Sequence, residues 1–451
     1  MMTNGTPAKA RIVVLGGGFG GMTTVRELER LLRPGDAEIT VVSRENFSLF
    51  TPMLPEVSSG NLETRHVVTP VRAQLRWARF ILADVRAVDL QARTVRIVST
   101  LSAAEQTLHY DQLVCAVGSV TSTFGLPGIA ERTLPLKTIE DAERLRNHAI
   151  AMLERADALS DSVQRKRLLT FVFVGGGFTG VEAAGEMVDF FKSVLPFYPS
   201  IRAAELEIYL VEGGKKLLPD LQAGMGEYSA RDLERRGVRV WTEALVAGAD
   251  DDGLELKDGR RLRTGTIVWS AGVRPSPLFG GLPISTGRGG SIAVAPDLSV
   301  PGYPGVWAIG DCASIPGPDG KPYPATAQHA IREGPTLAEN IVATLRGRPT
   351  KPFHYVSLGM MASLGGRRGV AGIRGRWLLT GFWAWVLWRT YYLLRLPGRD
   401  RQLRVAGDWS LGLLFRRDIA ELRVYTRRAH DVTQQDAGLA CVEDAGQALE
   451  R

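Results

Sequence analysis

LLTFVFVGGGFTGVEAAGEM, residues 168–187, decides how the whole chain is read. An apolar, β-branched run opens it and reads as a buried strand. Gly175, Gly177 and Gly180 follow in the G-x-G-x-x-G spacing, and a helical pattern comes after them. Such a turn brings backbone amides close to a pyrophosphate at a helix N-terminus, where any side chain would collide. A single match of this kind carries little weight. Here RIVVLGGGFGG (11–21), with Gly16, Gly18 and Gly21, repeats the design about 160 residues upstream. Each copy leads to a second strand, AEITVVSREN (37–46) and LEIYLVE (206–212), so chance is a poor explanation.

Three further strands end in glycine turns. HYDQLVCAVGSV (109–120) turns at Gly118, TGTIVWSAGV (264–273) turns at Gly272, and YPGVWAIGDCAS (303–314) ends in Gly310–Asp311. This order predicts an α/β fold of two Rossmann-like dinucleotide-binding domains, the second inserted in the first. The first domain is expected at 10–125 and 295–350, and the second at 126–294. Residues 351–451 remain as a separate C-terminal region, with a weakly ordered tail at 430–451.

The strand after each turn indicates which dinucleotide fits. Glu212 ends the second strand of the downstream copy, 32 residues after Gly180. A carboxylate there accepts bonds from a ribose 2′-OH and repels a 2′-phosphate, which favours NADH over NADPH. The upstream copy ends in VVSREN, with Ser43 and Arg44 where an acid commonly stands. Arg44 is suited to cover an adenine or neutralise phosphate. Asp311, next to a glycine at a strand end, is suited to hold the ribityl or pyrophosphate part of FAD.

Composition bounds the chemistry. The 451 residues suggest two or three domains. The net charge of +7 is uneven: Arg367–Arg428 holds 14 Arg, no Lys and 4 acids, leaving the rest of the chain at −3. A basic C-terminal region of this kind suits an anionic lipid surface; no nucleic-acid partner is expected, and a homodimer is compatible with the sequence. Cys115, Cys312 and Cys441 form no CxxC pair, which fits a reducing compartment, and the N-terminus shows no apolar signal core. Six scattered histidines and no metal-ligand cluster leave hydride chemistry, which needs alignment more than acid–base groups.

GFWAWVLWRTYYLLRL (381–396) stands apart from the rest of the chain. Its continuous apolar part is too short for the roughly 20 residues a bilayer span requires, and Arg389 and Arg395 interrupt any longer one. Trp and Tyr favour membrane interfaces, and both arginines are expected to reach lipid headgroups. The segment therefore reads as a docking element on the cytoplasmic face of the membrane, peripheral rather than spanning.

With these residues assembled, the chain resembles the type II NADH dehydrogenases, single-subunit, non-proton-pumping NADH:quinone oxidoreductases. The motifs that carry the resemblance are VVLGGGFGG, NFSLFTPMLPEVSSG (46–60), LVCAVGS (113–119), FVGGGFTGVEAAGEM (173–187), VWSAGV (268–273), AIGDCA (308–313) and PATAQHA (324–330), together with the aromatic C-terminal segment. The resemblance implies non-covalent FAD, NADH and a membrane quinone. It implies that Gly16, Gly18, Phe19, Gly20 and Gly21 cradle the FAD pyrophosphate, with Gly118, Gly310 and Asp311 on the same cofactor and Thr51 and Pro52 near its ring. It implies that Gly175, Gly177, Phe178, Thr179 and Gly180 hold NADH, with Glu212 at the ribose and Gly272 nearby. Glu182 then projects near the nicotinamide, and Ala327 and Gln328 line the quinone side. Many relatives carry a second Gln one helical turn beyond Gln328; here that position is Arg332. A sulfide:quinone oxidoreductase, a non-catalytic flavin-binding redox sensor and an oxygen-using NADH oxidase are the rival readings. Cys115 and Cys312 read as small buried strand-end residues, which together with the intact NADH-type turn at Glu212 weighs against the first, and the C-terminal segment weighs against the last; a thiol–disulfide reductase would need a cysteine pair in 40–60, which has none.

Overall fold

A computed structural model of the chain describes residues 9–222, 224–373 and 375–422. The tail at 430–451 and Cys441 lie outside the described residues.

In chain order, β1 (Ala10–Leu15) leads into α1 (Phe19–Leu31) and β2 (Ala37–Ser43). The short helix α2 (Leu54–Ser58) follows, then the strands β3 (Arg79–Asp89), β4 (Thr94–Ser99), β5 (Glu105–His109) and β6 (Gln112–Cys115). The inserted unit holds β7 (Leu134–Pro135), α3 (Ile139–Ala158), β8 (Thr170–Val174), α4 (Phe178–Val194), β9 (Glu207–Val211), β10 (Val238–Trp241) and β11 (Thr266–Trp269). The chain then returns through β12 (Val306–Ala308) and α5 (Ala327–Leu345). It ends in β13 (Gly359–Gly365), β14 (Arg368–Ile373), β15 (Trp377–Thr380), α6 (Gly381–Arg395) and α7 (Arg399–Leu414).

The first sheet has the order β12-β6-β1-β2-β3-β4-β5. Its first five strands are parallel, and β4 and β5 add an antiparallel edge. Parallel strands are covered on both faces, which explains the unbroken burial of Ile12–Leu15 and Leu113–Cys115. The late strand β12 pairs with β6, so a sequence-distant segment completes this sheet, and Trp307 Nε1 donates to Gln112 Oε1 at 2.8 Å across that seam. Phe279, Ile292 and Val294 pack in the same core as Ile12 and Trp307. The second sheet, β7-β11-β8-β9-β10, is parallel throughout. Each sheet reverses strand order beside its glycine turn, the topological switch point where open α/β sheets bind ligands. The fold is therefore the doubly wound pair read from the two glycine copies.

The C-terminal three-stranded antiparallel sheet, β13-β14-β15, lies against α4. A Cβ at Gly185 would collide with the Leu364 carbonyl, so that helix and strand approach as closely as backbones permit. Arg236 ties the contact, donating to Gly185 O and Asp189 Oδ1 at 2.8 Å each. One core then runs continuously from Val57 on α2 through Leu145, Met187 and Phe191 to Leu364, Trp388 and Trp409. Fifteen residues make α6 about 22 Å long. Among the described residues no helix is long and apolar enough to cross a membrane.

Candidate active site

Both glycine turns have the same construction. Gly16 has φ +113° and Gly175 φ +111°, values that L side chains rarely adopt. A Cβ on Gly16 would strike the Ala116 carbonyl, and one on Gly21 or Gly180 would strike the carbonyl of the first glycine of its own turn. The middle glycines differ. Gly18 and Gly177 are the N-caps of α1 and α4, and an added Cβ would meet nothing within 4 Å. Neither helix has a side-chain cap, so the first-turn amides stay available to an anion. Two open cradles at uncapped helix starts fit two pyrophosphates. Phe19, Phe178 and Thr179 begin these helices, and Gly20 packs against Ile309.

Around the first cradle, Ser43 ends β2 against Gly17, and Ser48 Oγ donates to Gly17 O at 2.7 Å. Arg44 is exposed, 3.7 Å from Glu45. Thr51 and Pro52 form a one-turn 3-10 helix after Phe50. Gly118 and Gly310 both have φ near +70°, and Gly118 faces open space. Asp311 Oδ2 accepts from Ser119 Oγ at 2.6 Å, and Lys137 Nζ stands 2.8 Å from Ser119 Oγ and 3.6 Å from the carboxylate. Gly310 donates its N–H to Glu333 at 2.7 Å, and burial pushes that carboxyl up to about 7. At the second cradle, Glu212 accepts from Gly176 N and Gly214 N, both at 2.5 Å. Gly272 has a packing reason, since its Cβ position faces the Phe124 ring.

Helix α5 starts beside the first cradle, with Ala330 next to both Gly20 and Gly310. Ala327 is its first residue. Gln328 Nε2 donates to Tyr355 Oη at 2.5 Å and to Ser357 Oγ at 3.2 Å. The His329 imidazole bonds Thr326 Oγ at 2.8 Å, and burial lowers its pKa, keeping the ring neutral at pH 7.

Glu182 lies one turn into α4 and is buried. Its Oε1 accepts from Ser363 N at 2.9 Å and from Trp388 Nε1 at 3.0 Å, so it is tied to β13 and α6. Burial raises its pKa to about 8, although both bonds favour the charged form, and the charges of Glu56 and Glu186 raise it further. Edge-on aromatic contacts run from Phe19 to Phe50, Tyr392 and Trp388, connecting the first cradle with this carboxyl.

Two more buried carboxylates adjoin Glu182, and the sequence reading did not single them out. Glu186 accepts from Ser59 Oγ and Arg417, and burial likewise raises its pKa. Glu56 accepts from Asn61, Arg389 and Trp409 Nε1 at 3.0, 3.1 and 2.9 Å. The expectation that Arg389 reaches lipid headgroups is therefore corrected. Its guanidinium turns inward, 4.3 Å from both the Trp385 and Trp409 rings, because a buried carboxylate offers it a partner that the lipid surface would have to replace. Arg395 lies over Tyr391 at 5.3 Å. The i, i+4 spacing of Glu182 and Glu186 in VEAAGE was the available signal for the cluster.

Comparison with known proteins bears on this geometry. Residues 10–334 match the family model described as pyridine nucleotide-disulphide oxidoreductase. The type II NADH:quinone oxidoreductase NdhA of Mycobacterium tuberculosis is 32% identical, over 99% of this chain and 98% of the relative. Its Ndh, of the same description, is 33% identical over 91% and 89%. The chain belongs to the type II NADH:quinone oxidoreductases. The structure of NDH2 from Plasmodium falciparum in complex with NADH shares the fold, with a TM-score of 0.85 at 21% identity, covering 91% of this chain and all of that one. The sulfide:quinone oxidoreductase of Aquifex aeolicus shares it less closely, with a TM-score of 0.66 at 19% identity. Membership in the type II family agrees with the cysteines. Cys115 and Cys312 are free and buried, burial pushes the Cys312 thiol up to about 12, and neither offers a reachable thiolate for sulfide.

Proposed function

We propose that this flavoenzyme oxidises NADH and passes two electrons to a membrane quinone without pumping protons. The observation that carries the reading is the pair of open glycine cradles at uncapped helix starts, one beside Asp311 and one beside Glu212. Residues 10–125 and 295–350 carry FAD, 126–294 carry NADH, and the C-terminal region docks on the membrane through the outer faces of α6 and α7. FAD, once bound, supplies the two-electron carrier between a hydride donor and a quinone.

The protein's own groups do the positioning. Gly16–Gly21 receive one pyrophosphate, and Gly175–Gly180 the other. Asp311, held by Ser119 and Lys137, takes a hydroxyl of the flavin's ribityl chain, and Glu212 takes the adenosine ribose of NADH. Thr51 and Pro52 flank the ring. Glu182 holds a proton on Oε2 at neutral pH, since Oε1 is spent on two donors. Its place near the nicotinamide end of α4 makes it a neutral carboxyl that positions the nicotinamide. Gln328 stands on the quinone side.

Trp383 and Leu394 on α6, and Leu403, Leu411 and Leu414 on α7, are exposed although each helix buries a different face. Outward apolar side chains beside arginines suit the surface of an anionic bilayer, on the cytoplasmic face where NADH is available. The test is a flavin spectrum of the purified protein. NADH should bleach the flavin band and menadione should restore it through many turnovers. Bleaching by sulfide instead, or one reduction without turnover, would replace this reading with a sulfide oxidoreductase or a redox sensor.

A further inference from the structure

The hydrogen-bond inventory around Gln328 conflicts with a simple picture in which its amide contacts the quinone carbonyl. A carboxamide has two N–H donors and one carbonyl acceptor. Both donors of Gln328 are directed at protein hydroxyls, Tyr355 Oη at 2.5 Å and Ser357 Oγ at 3.2 Å. Ser357 Oγ directs its own proton at Gly359 O at 3.5 Å, which leaves it the acceptor in its bond with the amide. The acceptor oxygen of Gln328 has no protein partner among the described residues. A quinone carbonyl needs a donor, and this amide has none left.

Tyr355 has one. Its Oη accepts from Gln328, and among the described residues nothing accepts the phenolic proton. The ring is held on several sides. The Arg332 guanidinium lies over it at 4.9 Å, the neutral His329 imidazole meets it edge-on at 5.4 Å, and Tyr323 receives the Tyr355 backbone N–H at 3.3 Å. This also accounts for Arg332, whose cation faces the Tyr355 ring. Its sequence neighbours Val356 and Leu358 are exposed, an apolar stretch suited to a lipid-soluble substrate. Ala330, on the same helical turn as Gln328, lies beside both Gly20 and Gly310, so the helix start that carries Gln328 adjoins the first cradle.

We propose that the Tyr355 hydroxyl donates the hydrogen bond and then the proton to the quinone carbonyl, with Gln328 as its positioning residue. The proposal rests on the quinone-reductase reading above. Forming a quinol adds two electrons and two protons. FAD, once bound and reduced by NADH, would supply the electrons and one proton. The second proton leaves Tyr355 Oη as the quinone O–H bond forms, and the tyrosinate takes up a proton from bulk solvent.

The test separates acceptors that need a proton from those that do not. In rapid mixing, NADH-reduced holoenzyme is reoxidised by menadione or by ferricyanide, which takes electrons alone. Tyr355→Phe keeps the ring contacts; it should slow reoxidation by menadione about 10²-fold and leave ferricyanide and NADH-driven reduction unchanged. Gln328→Met should slow the menadione step roughly tenfold or less, because the donor remains. A larger loss in Gln328→Met than in Tyr355→Phe, an unchanged menadione step, or equal loss with both acceptors would overturn the assignment. If Tyr355→Phe does not retain FAD, 3-fluorotyrosine at 355 preserves the ring and the amide bond and acidifies the phenol. The menadione step must then change rate while the ferricyanide step does not; an unchanged menadione step overturns the assignment. Wild-type enzyme that reduces ferricyanide but never menadione would instead remove the quinone reading itself.

Discussion

Trp388 donates its indole N–H to the Glu182 carboxyl at 3.0 Å, joining residues 206 positions apart. The bond places a carboxyl of the NADH-binding helix under the aromatic C-terminal helix, and burial raises its pKa to about 8. The native protein therefore keeps a proton there that the unfolded chain releases above about 4.5. This contribution to stability is complete below that value and is lost as pH rises through about 8. Its slope reaches at most about 1.4 kcal/mol per pH unit. Glu182→Gln preserves an Oε1 acceptor for Trp388 and Ser363 but cannot ionise. Denaturant unfolding between pH 5 and 9 should lose stability less steeply in the variant, which becomes the more stable protein at the alkaline end. Parallel curves would contradict a raised Glu182.

Glu56 predicts the strength of the anchor between α2 and the C-terminal helices. It is buried and accepts from Arg389 and Trp409, while Arg389 is itself shielded between two indoles. Glu56→Leu leaves that guanidinium buried without a counter-charge, a change that costs about 3–5 kcal/mol. Exchange of backbone amides in 381–414 should accelerate in the variant, while amides of β1 and β8 keep their protection. The double variant Glu56→Leu with Arg389→Met should recover much of the loss. Failure of that rescue would mean that the pair is not what holds the helices.

These two sites show where the sequence was readable. The glycine turns were legible because their backbone leaves no choice: a Cβ at Gly16 or Gly175 meets other backbone, so the residue type records the geometry. Asp311 was legible for a similar reason, standing beside a glycine at a strand end. Its partner Lys137 was not, because a lysine in PLKTIEDA reads as part of a helix start, and Thr138 and Asp141 do form a capping box there. Arg389 was misread as lipid-facing. Only the fold brings Glu56 beneath it, and no periodicity in GFWAWVLWRTYYLLRL encodes a carboxylate on another helix. Tyr355 lies in an irregular stretch before β13, where residue spacing carries no directional information.

Glu212 makes a prediction about cofactor choice. Its carboxylate bridges Gly176 N and Gly214 N, which holds it at the edge of the second cradle with the exposed Lys215 nearby. A 2′-phosphate would meet that fixed negative charge. Glu212→Gln retains an acceptor for one amide and removes the repulsion. The ratio of kcat/KM for NADPH to that for NADH should rise about tenfold, equivalent to about 1.4 kcal/mol. An unchanged ratio would place the ribose elsewhere.

The last prediction concerns the outward face of the C-terminal helices. On α6, Trp383, Leu387 and Leu394 share one side through their spacing, while Ala384 and Trp388 point into the core. On α7, Leu403, Leu411 and Leu414 do the same opposite the buried Val405 and Trp409. Soluble packing explains the buried sides but gives no reason for tryptophan and leucine on the exposed ones. Each large side chain inserted at an interface contributes about 2 kcal/mol. The double variant Trp383→Glu with Leu414→Glu should therefore lower partition onto phosphatidylglycerol vesicles at least about a hundredfold in flotation assays. Turnover with NADH and menadione should stay near wild type, since neither residue touches the cradles or Tyr355. Undiminished flotation would reassign this face to another partner, and loss of turnover would show that the substitutions disturb the core behind Trp388.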